Sequence, residues 1–307
     1  RSFPSAKRIS AFDNTTFCTA FLSDGSLLTI RDIPIVDLRD VDKIAFNPTG
    51  SSLALMRGKK PVSIYSFRDR NKKLFELKEQ RKSKELKGRK NLNFFVPGPV
   101  GAELMKDASK GDIVPVAMCY GADARNFLVS NSLGEIIVYD TKAYLPQAYI
   151  QGKAVATAIT MSPNNYFIAA GTGKNIDIWN FQTKELRTSL PMPAEVTELV
   201  FSADASQMAV VTADKRLTIF DTKTWDKVDI FDKIGGTLTS PSFHPDGKYI
   251  SVVKDGNAIV IMNLKNSVPE QTLDENPGGV TGSRFFVNKQ TSDVFMLSNR
   301  AKGLVFW

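Results

Sequence analysis

The sequence repeats a short pattern of apolar and polar residues about every 41 positions. Four segments align without gaps at their starts, and a fifth follows them: Val114-Pro-Val-Ala-Met-Cys, Val155-Ala-Thr-Ala-Ile-Thr-Met, Val196-Thr-Glu-Leu-Val-Phe, Leu238-Thr-Ser-Pro-Ser-Phe and Val280-Thr-Gly-Ser-Arg-Phe-Phe. The spacings between their first residues are 41, 41, 42 and 42. A repeat this regular predicts the fold class from its period alone, without reference to any single residue.

Each repeat is predicted to contain four short strands, which we name a, b, c and d in chain order. In the unit that begins at Val196, alternating or β-branched runs occupy residues 196–201, 208–211, 217–221 and 227–231. Turns of small polar residues separate these runs. A period of about 40–45 residues built from such strands is typical of a β-propeller.

Two further units lie upstream, with strand-like runs between residues 7 and 66, which brings the total to seven. The predicted fold class is therefore all-β: a seven-bladed β-propeller of four-stranded antiparallel blades, with one basic insertion between blades two and three. We expect one domain over residues 1–307, with blades at 6–40, 41–110, 111–153, 154–194, 195–236, 237–278 and 279–307. Because strand c of the last unit stops at Trp307, we expect either that the natural chain continues or that this blade has three strands.

A recurring dipeptide closes strand c in four units: Tyr139-Asp140, Trp179-Asn180, Phe220-Asp221 and Met262-Asn263. Asp24, Asp214 and Asp255 recur in the b–c turns. In these features the chain resembles the WD40-repeat propellers. It departs from them because no unit has a Gly-His pair and only Trp179 and Trp307 occupy the tryptophan position. The Asp-His-Ser-Trp hydrogen-bond network of that family is therefore missing, and the resemblance is to a WD40-like propeller.

The period fails between Val41 and Val114, where the spacing is 73 residues. The insertion, 68–110, begins with a strongly basic stretch, since residues 68–93 hold eleven Lys or Arg and four Asp or Glu, a net +7 against +8 for the whole chain. Leu74 and Leu77 favour either a short helix or an extended strand d. We define the basic arm as the residues expected to contact a partner here: Lys72, Lys73, Lys78, Arg81, Lys82, Lys84, Lys87, Arg89 and Lys90.

Three interpretations of this arm stay open: a solvated insertion, a docking element for an acidic protein or surface, and a nucleic-acid contact. Several phosphate contacts would give a salt-sensitive affinity. However, no aromatic residues alternate with the basic ones, and stacking of single-stranded bases requires them.

Cations also recur in the b–c turns of five units. All b–c turns of a propeller emerge on one face, so these side chains would ring one mouth of the central channel and attract anionic groups. The alternative is that turns are simply polar. We define the rim cations as Arg57, Lys59, Lys60, Lys174, Lys215, Lys254, Arg300 and Lys302.

The sequence offers little for catalysis. Its single histidine, His244, lies in a predicted a–b turn, which argues against a multi-histidine metal site and against histidine acid–base catalysis. There is no phosphate-binding glycine loop and no cysteine pair at metal-ligand spacing. We therefore predict no catalytic residues, no metal and no cofactor.

The predicted function is a non-enzymatic scaffold that binds a protein through one loop face and the basic insertion, partly by analogy with the fold. The alternative is a binding or, less favoured, catalytic module for an anionic polymer such as nucleic acid or acidic glycan. No apolar run is long enough to span a membrane. Since the chain begins at Arg1 rather than Met, the cytoplasm and a bacterial envelope or periplasm are both compatible.

Overall fold

The computed structural model describes residues 10–12, 15–21, 27–31, 41–49, 51–66, 73–77, 113–232, 234–274, 279–287, 294–300 and 303–306. Within these residues every regular element is a β-strand, and each strand pairs antiparallel with its neighbour in sequence. The strands form seven sheets, which we number 1 to 7 in chain order. Five of them have four strands, and sheets 1 and 7 have three in the described residues.

The first three sheets cover the region on both sides of the insertion. Sheet 1 contains β1 (Ser10–Phe12), β2 (Thr15–Phe21) and β3 (Leu27–Arg31). Sheet 2 contains β4 (Lys43–Phe46), β5 (Ser52–Met56), β6 (Val62–Ser66) and β7 (Lys73–Leu77). Sheet 3 contains β8 (Pro115–Tyr120), β9 (Asn126–Asn131), β10 (Glu135–Asp140) and β11 (Pro146–Gln151).

The remaining sheets follow the regular part of the period. Sheet 4 contains β12 (Ala158–Met161), β13 (Phe167–Gly171), β14 (Asn175–Asn180) and β15 (Leu186–Pro191). Sheet 5 contains β16 (Val196–Phe201), β17 (Gln207–Thr212), β18 (Leu217–Asp221) and β19 (Lys227–Phe231). Sheet 6 contains β20 (Leu238–Phe243), β21 (Tyr249–Lys254), β22 (Ala258–Asn263) and β23 (Val268–Leu273). Sheet 7 contains β24 (Val280–Val287), β25 (Val294–Arg300) and β26 (Gly303–Phe306).

The predicted strands agree closely with these bounds. Of the two alternatives for Leu74 and Leu77, the structure takes the strand, since β7 pairs with β6. Three inner strands begin later than predicted: β4 at Lys43 rather than Val41, β8 at Pro115 rather than Val114, and β12 at Ala158 rather than Val155. In sheet 2 the reason is local, because Asp42 accepts a hydrogen bond from the Gly58 amide in the b–c turn. The predicted fourth strand of the first blade, at residues 35–38, lies outside the described residues.

The sheets stack face to face, and the core lies between them. Strands b and c are almost entirely buried, whereas β19 and β23 at the outer edge are largely exposed. Five apolar clusters join sheets 2 and 3, 3 and 4, 4 and 5, 5 and 6, and 6 and 7. The first strands β4, β8, β12, β16, β20 and β24 contact one another in that order. They therefore form the inner edge of a propeller-like stack, where a β-propeller has its central channel.

One irregularity recurs in all five four-stranded sheets. The register between strands c and d shifts just before the first residue of the strand-c dipeptide, at Tyr139, Trp179, Phe220 and Met262, and at the corresponding Tyr65 in sheet 2. A bulge at a constant position adds local twist and lets strand d turn away from strand c. Its recurrence shows that the sequence repeat is also a repeat of backbone geometry.

Candidate functional site

The a–b and c–d turns lie together at one end of each sheet, which we call the capped end. Backbone hydrogen bonds join the two turns, for example from Thr222 N to Ser206 O at 3.0 Å. The strand-c Asp or Asn caps the c–d turn: Asp221 Oδ1 accepts the amides of Lys223 at 2.8 Å and Thr224 at 3.0 Å. Equivalent side chains do the same in the other sheets, namely Asp140, Asn180 and Asn263. Capping therefore needs a carbonyl or carboxylate oxygen, not a charge.

A second capped-end feature was not anticipated from the sequence. The fourth residue after the strand-c Asp or Asn has a positive φ in sheets 3 to 6: Tyr144 (51°), Lys184 (63°), Trp225 (65°) and Ser267 (57°). This conformation is uncommon for residues other than glycine. Three of the four side chains contact the preceding sheet, the exception being Lys184, which lies over the ring of Phe181. The sequence did contain a sign of this feature, because the residue always lies four positions after the strand-c Asp or Asn.

Tyr144 and Trp225 show how this contact is made. The Tyr144 hydroxyl is 2.9 Å from Ser52 Oγ in sheet 2 and 2.9 Å from Tyr120 OH. The Trp225 ring packs edge-on against Phe167 of sheet 4, with 5.1 Å between ring centroids. Contacts of this kind join neighbouring sheets in a chain that lacks the Asp-His-Ser-Trp network.

The b–c turns lie at the opposite end, which we call the rim end. They bind the segments that lead into the inner strands: Ala213 N donates to Glu195 O at 2.8 Å, and Val280 N donates to Gly256 O at 2.6 Å. Hydrogen bonds of this type occur in sheets 2 to 6, both within a sheet and to its neighbour. The described b–c turns therefore share one end, as the interpretation of the rim cations required.

The described rim cations lie at this end. Lys59, Lys60, Lys174 and Lys215 are exposed, whereas Arg57 and Lys254 are half-buried. Arg300 is the last residue of β25, and Lys302 lies outside the described residues. Carboxylates lie among these cations: Asp255 caps Thr237 N at 2.7 Å, and Asp214 Oδ2 is 3.4 Å from Arg216 Nε. The rim end therefore carries both signs of charge.

Of the basic arm, the structure describes only Lys73, the first residue of β7. The other members named above, Lys72, Lys78, Arg81, Lys82, Lys84, Lys87, Arg89 and Lys90, lie outside the described residues. The arm therefore stays a prediction.

The inner strands hold a charged group that the sequence analysis did not single out. Lys43 and Glu198 are the third residues of their repeat units, in β4 and β16, and Arg284 is the fifth residue of its unit, in β24. We call these three residues the inner layer. In the other described units the third position holds Val116, Thr157, Ser240 and Gly282, and the fifth holds Ala45, Met118, Ile159, Val200 and Ser242. Charge at these positions is therefore not part of the repeat.

Electrostatics links the three inner-layer residues. Burial lowers the pKa of the Lys43 ammonium, and the carboxylates of Glu198 and Asp42 oppose this. Burial likewise lowers the pKa of the Arg284 guanidinium, again opposed by Glu198. Lys43 keeps contact with solvent, but the surrounding protein removes part of its hydration. Glu198 is thus the carboxylate shared by two partly desolvated cations.

His244 lies in the predicted a–b turn, where Nδ1 is 2.6 Å from Asp246 Oδ1 and the ring packs edge-on against Tyr249 and Phe285. Among the described residues, no group of three or more His, Cys, Asp or Glu side chains is placed to hold a metal ion. The described part of the chain also contains no helix long and apolar enough to cross a membrane.

Comparisons with known proteins agree with this architecture. No protein-family model matches the chain. It is similar to the periodic tryptophan protein 2 homolog of Dictyostelium discoideum, with 29% identity over 132 residues. The match covers 36% of this chain and 14% of that protein, so the chain spans a small part of the length of this curated relative.

Among solved structures, the chain is similar to one in the crystal structure of the mitotic checkpoint complex, with a TM-score of 0.67 and 15% identity. That likeness covers 98% of this chain and 86% of the other. Together, the comparisons confirm the resemblance to WD40-like β-propellers that the strand-c dipeptides indicated.

Proposed function

We propose that this chain is a seven-bladed propeller that serves as a non-enzymatic protein-interaction scaffold, and that a partner contacts the rim end and the basic arm. WD40-type propellers generally act as interaction scaffolds. The observation that carries the proposal is the placement of exposed Lys59, Lys60, Lys174 and Lys215 at one end of the stack. The partner's identity is left open.

The charge pattern indicates what kind of partner surface would fit. Exposed lysines on short turns project a field that accelerates encounter with an acidic surface. The capping carboxylates between them give the rim end both signs of charge, which favours a partner of patterned charge over a uniform polyanion. The similar propeller belongs to a complex, the mitotic checkpoint complex. From this likeness we extend to the present chain only the capacity to assemble with other proteins.

A charge-reversal pair tests the rim end. The rim variant replaces Lys59, Lys174 and Lys215 with Glu. The matched control replaces Lys142, Lys223 and Lys265, which are exposed lysines in the c–d turns at the capped end. Both variants change the net charge equally. We expect the rim variant to lose a protein retained by the wild-type chain in quantitative pull-downs, and the control to keep it. Equal retention by both variants would contradict the rim-end proposal.

Two further experiments separate the alternatives. Deletion of residues 70–90 is expected to weaken the same interaction, and an unchanged interaction would remove the basic arm from the proposal. Binding of single-stranded DNA or heparin, with affinity falling steeply as salt rises, would instead support the anionic-polymer module. We expect no such binding at physiological salt, because carboxylates lie among the rim cations and no aromatic residues alternate with the basic residues of the arm.

A further inference from the structure

The outer strands of the sheets differ in how they end the hydrogen-bonded ladder. An outer strand pairs on one side only, so its other edge presents backbone donors and acceptors to any strand that approaches. β11, β15 and β23 each contain a proline, which removes one backbone donor: Pro146, Pro191 and Pro269. β7 and β19 contain none, and within the described residues β19 pairs with β18 alone. Sheet 5 therefore needs another way to protect its outer edge.

β19 also exposes apolar side chains that suit strand pairing. Val228 is 57% exposed and Ile230 is 50% exposed, and Val268 at the start of β23 is 45% exposed. These are three of the six large apolar residues that are exposed in the described part of the chain. On an open edge, β-branched residues of this kind favour association with a second strand. The outer edge of sheet 5 is thus the described edge at which pairing between molecules is most expected.

Asp229 lies between the two exposed residues of β19 and holds an amide of the same strand. Its Oδ1 accepts the Ile230 amide at 2.9 Å, and its Oδ2 accepts the Ser267 hydroxyl of sheet 6 at 2.7 Å. The second bond keeps the carboxylate beside the edge, because moving it away would break the contact with sheet 6. A strand that paired with β19 would have to displace this carboxylate or bury its charge, and a buried, unpaired carboxylate is unfavourable.

The acidic residues on either side of β19 do not make the same contact. Asp226 and Asp232 lie just outside the strand and are exposed. Among the described contacts, neither carboxylate accepts an amide of β19, whereas Asp229 at the middle of the strand does. Position, and not acidity alone, therefore distinguishes Asp229, and Asp232 provides a matched control for its charge.

We propose that Asp229 closes the outer edge of sheet 5, and that without it β19 pairs with β19 of a second copy of this chain. The carboxylate occupies an amide donor near the middle of the strand, and its charge makes the edge unfavourable to cover. Two identical edge strands related by a twofold axis can pair antiparallel, and each then covers the exposed valine and isoleucine of the other. This role is separate from the partner surface proposed at the rim end.

Removal of the carboxylate tests the closure. Sedimentation velocity over a range of micromolar concentrations reports the mass of the folded chain. We expect the wild type to sediment as a monomer and Asp229→Ala to shift with concentration towards twice the monomer mass. Asp232→Ala removes an equal charge one residue after β19 and is expected to stay monomeric. Asp229→Asn keeps an oxygen for the Ile230 amide, so we expect weaker association than in the alanine variant.

Two further variants separate edge pairing from loss of folding. Ser267→Ala removes the bond to sheet 6 but leaves the carboxylate on the Ile230 amide, and we expect a slightly lower urea midpoint without association. Adding Ile230→Lys to Asp229→Ala restores a charge to the same edge and is expected to return the chain to a monomer, which it would not do for an unfolded aggregate. A monomeric Asp229→Ala, equal association in Asp232→Ala, or association that Ile230→Lys does not reverse would overturn the proposal.

Discussion

The capped end and the inner layer obey opposite rules. At the capped end, equivalent positions hold interchangeable residues with one shared role, since Asp140, Asn180, Asp221 and Asn263 all accept turn amides. At the inner layer, Lys43 and Glu198 at the third position of their units and Arg284 at the fifth are charged, whereas the other described units carry uncharged residues at both positions. The strand repeat therefore does not explain the second pattern. Repetition marks the residues that build the fold, and departure from it marks residues that serve something else.

The largest expected effect tests whether the capped end stabilises the stack. Trp225→Ala removes a side chain that is 8% exposed and packs against Phe167 of the preceding sheet. Loss of a buried tryptophan costs about 3–5 kcal/mol of the free energy of unfolding, measured by urea denaturation. Leu145→Ala, in a c–d turn but 62% exposed, is the control and should cost less than about 0.5 kcal/mol. Similar losses in both variants would show that Trp225 does not join the sheets.

Tyr144→Phe tests the polar version of the same contact. The substitution keeps the ring but removes the hydroxyl that meets Ser52 Oγ and Tyr120 OH. Because Ser52 and Tyr120 each lose one of their hydrogen bonds but still contact each other, we expect a loss of about 1 kcal/mol in urea denaturation. The control is Tyr166→Phe, whose side chain is 57% exposed. A neutral Tyr144→Phe would mean that the ring, not the hydroxyl, makes the contact.

Asp221 tests the interchangeability of the capping residues. Asp221→Ala removes the acceptor of two turn amides and should cost about 1 kcal/mol. Asp221→Asn should be nearly neutral at pH 7, since Asn180 makes the equivalent bonds in sheet 4. Thermal unfolding of the two variants side by side gives the measurement. If the asparagine variant were as unstable as the alanine variant, charge rather than hydrogen bonding would be the capping requirement.

Carboxylates in the turns of the capped end predict how the free energy of unfolding changes at low pH. The pKa of Asp204 is lowered by the Ser202 hydroxyl, and that of Asp221 by the amides of Thr224 and Lys223. For Asp246, burial raises the pKa, but the Lys248 amide and His244 outweigh it. Because each folded pKa lies below the unfolded value of about 3.9, the stabilisation is complete above that pH and is lost as pH falls through the folded values. Urea midpoints from pH 6 to pH 2 should fall less steeply in Asp221→Asn than in the wild type.

The sequence predicted the parts of this molecule that repeat. The strand-c runs, the a–b turn at His244 and the common end of the b–c turns follow from spacing and turn chemistry, because each recurs at a fixed offset. Trp225 was missed because a large residue in a polar turn gives no sign of which neighbouring sheet it meets. The inner layer was missed because a lysine or glutamate in an alternating strand also fits a solvent-facing position. Only the stacking of sheets brings residues 43, 198 and 284 to one inner edge.

A small effect on stability is expected at the inner layer, and it sharpens the opening comparison most. Glu198→Gln keeps an oxygen that can accept the Ser240 amide, while removing the charge that faces Lys43 and Arg284. If the layer served folding, loss of this shared carboxylate would remove the charge that attracts both cations and cost several kcal/mol. Because Lys43 is exposed and keeps the attraction of Asp42, and Arg284 is only half-buried, we expect a change of less than about 1 kcal/mol in urea denaturation at about 150 mM salt. A loss comparable to that of Trp225→Ala would assign the inner layer to stability and erase the contrast between the two regions.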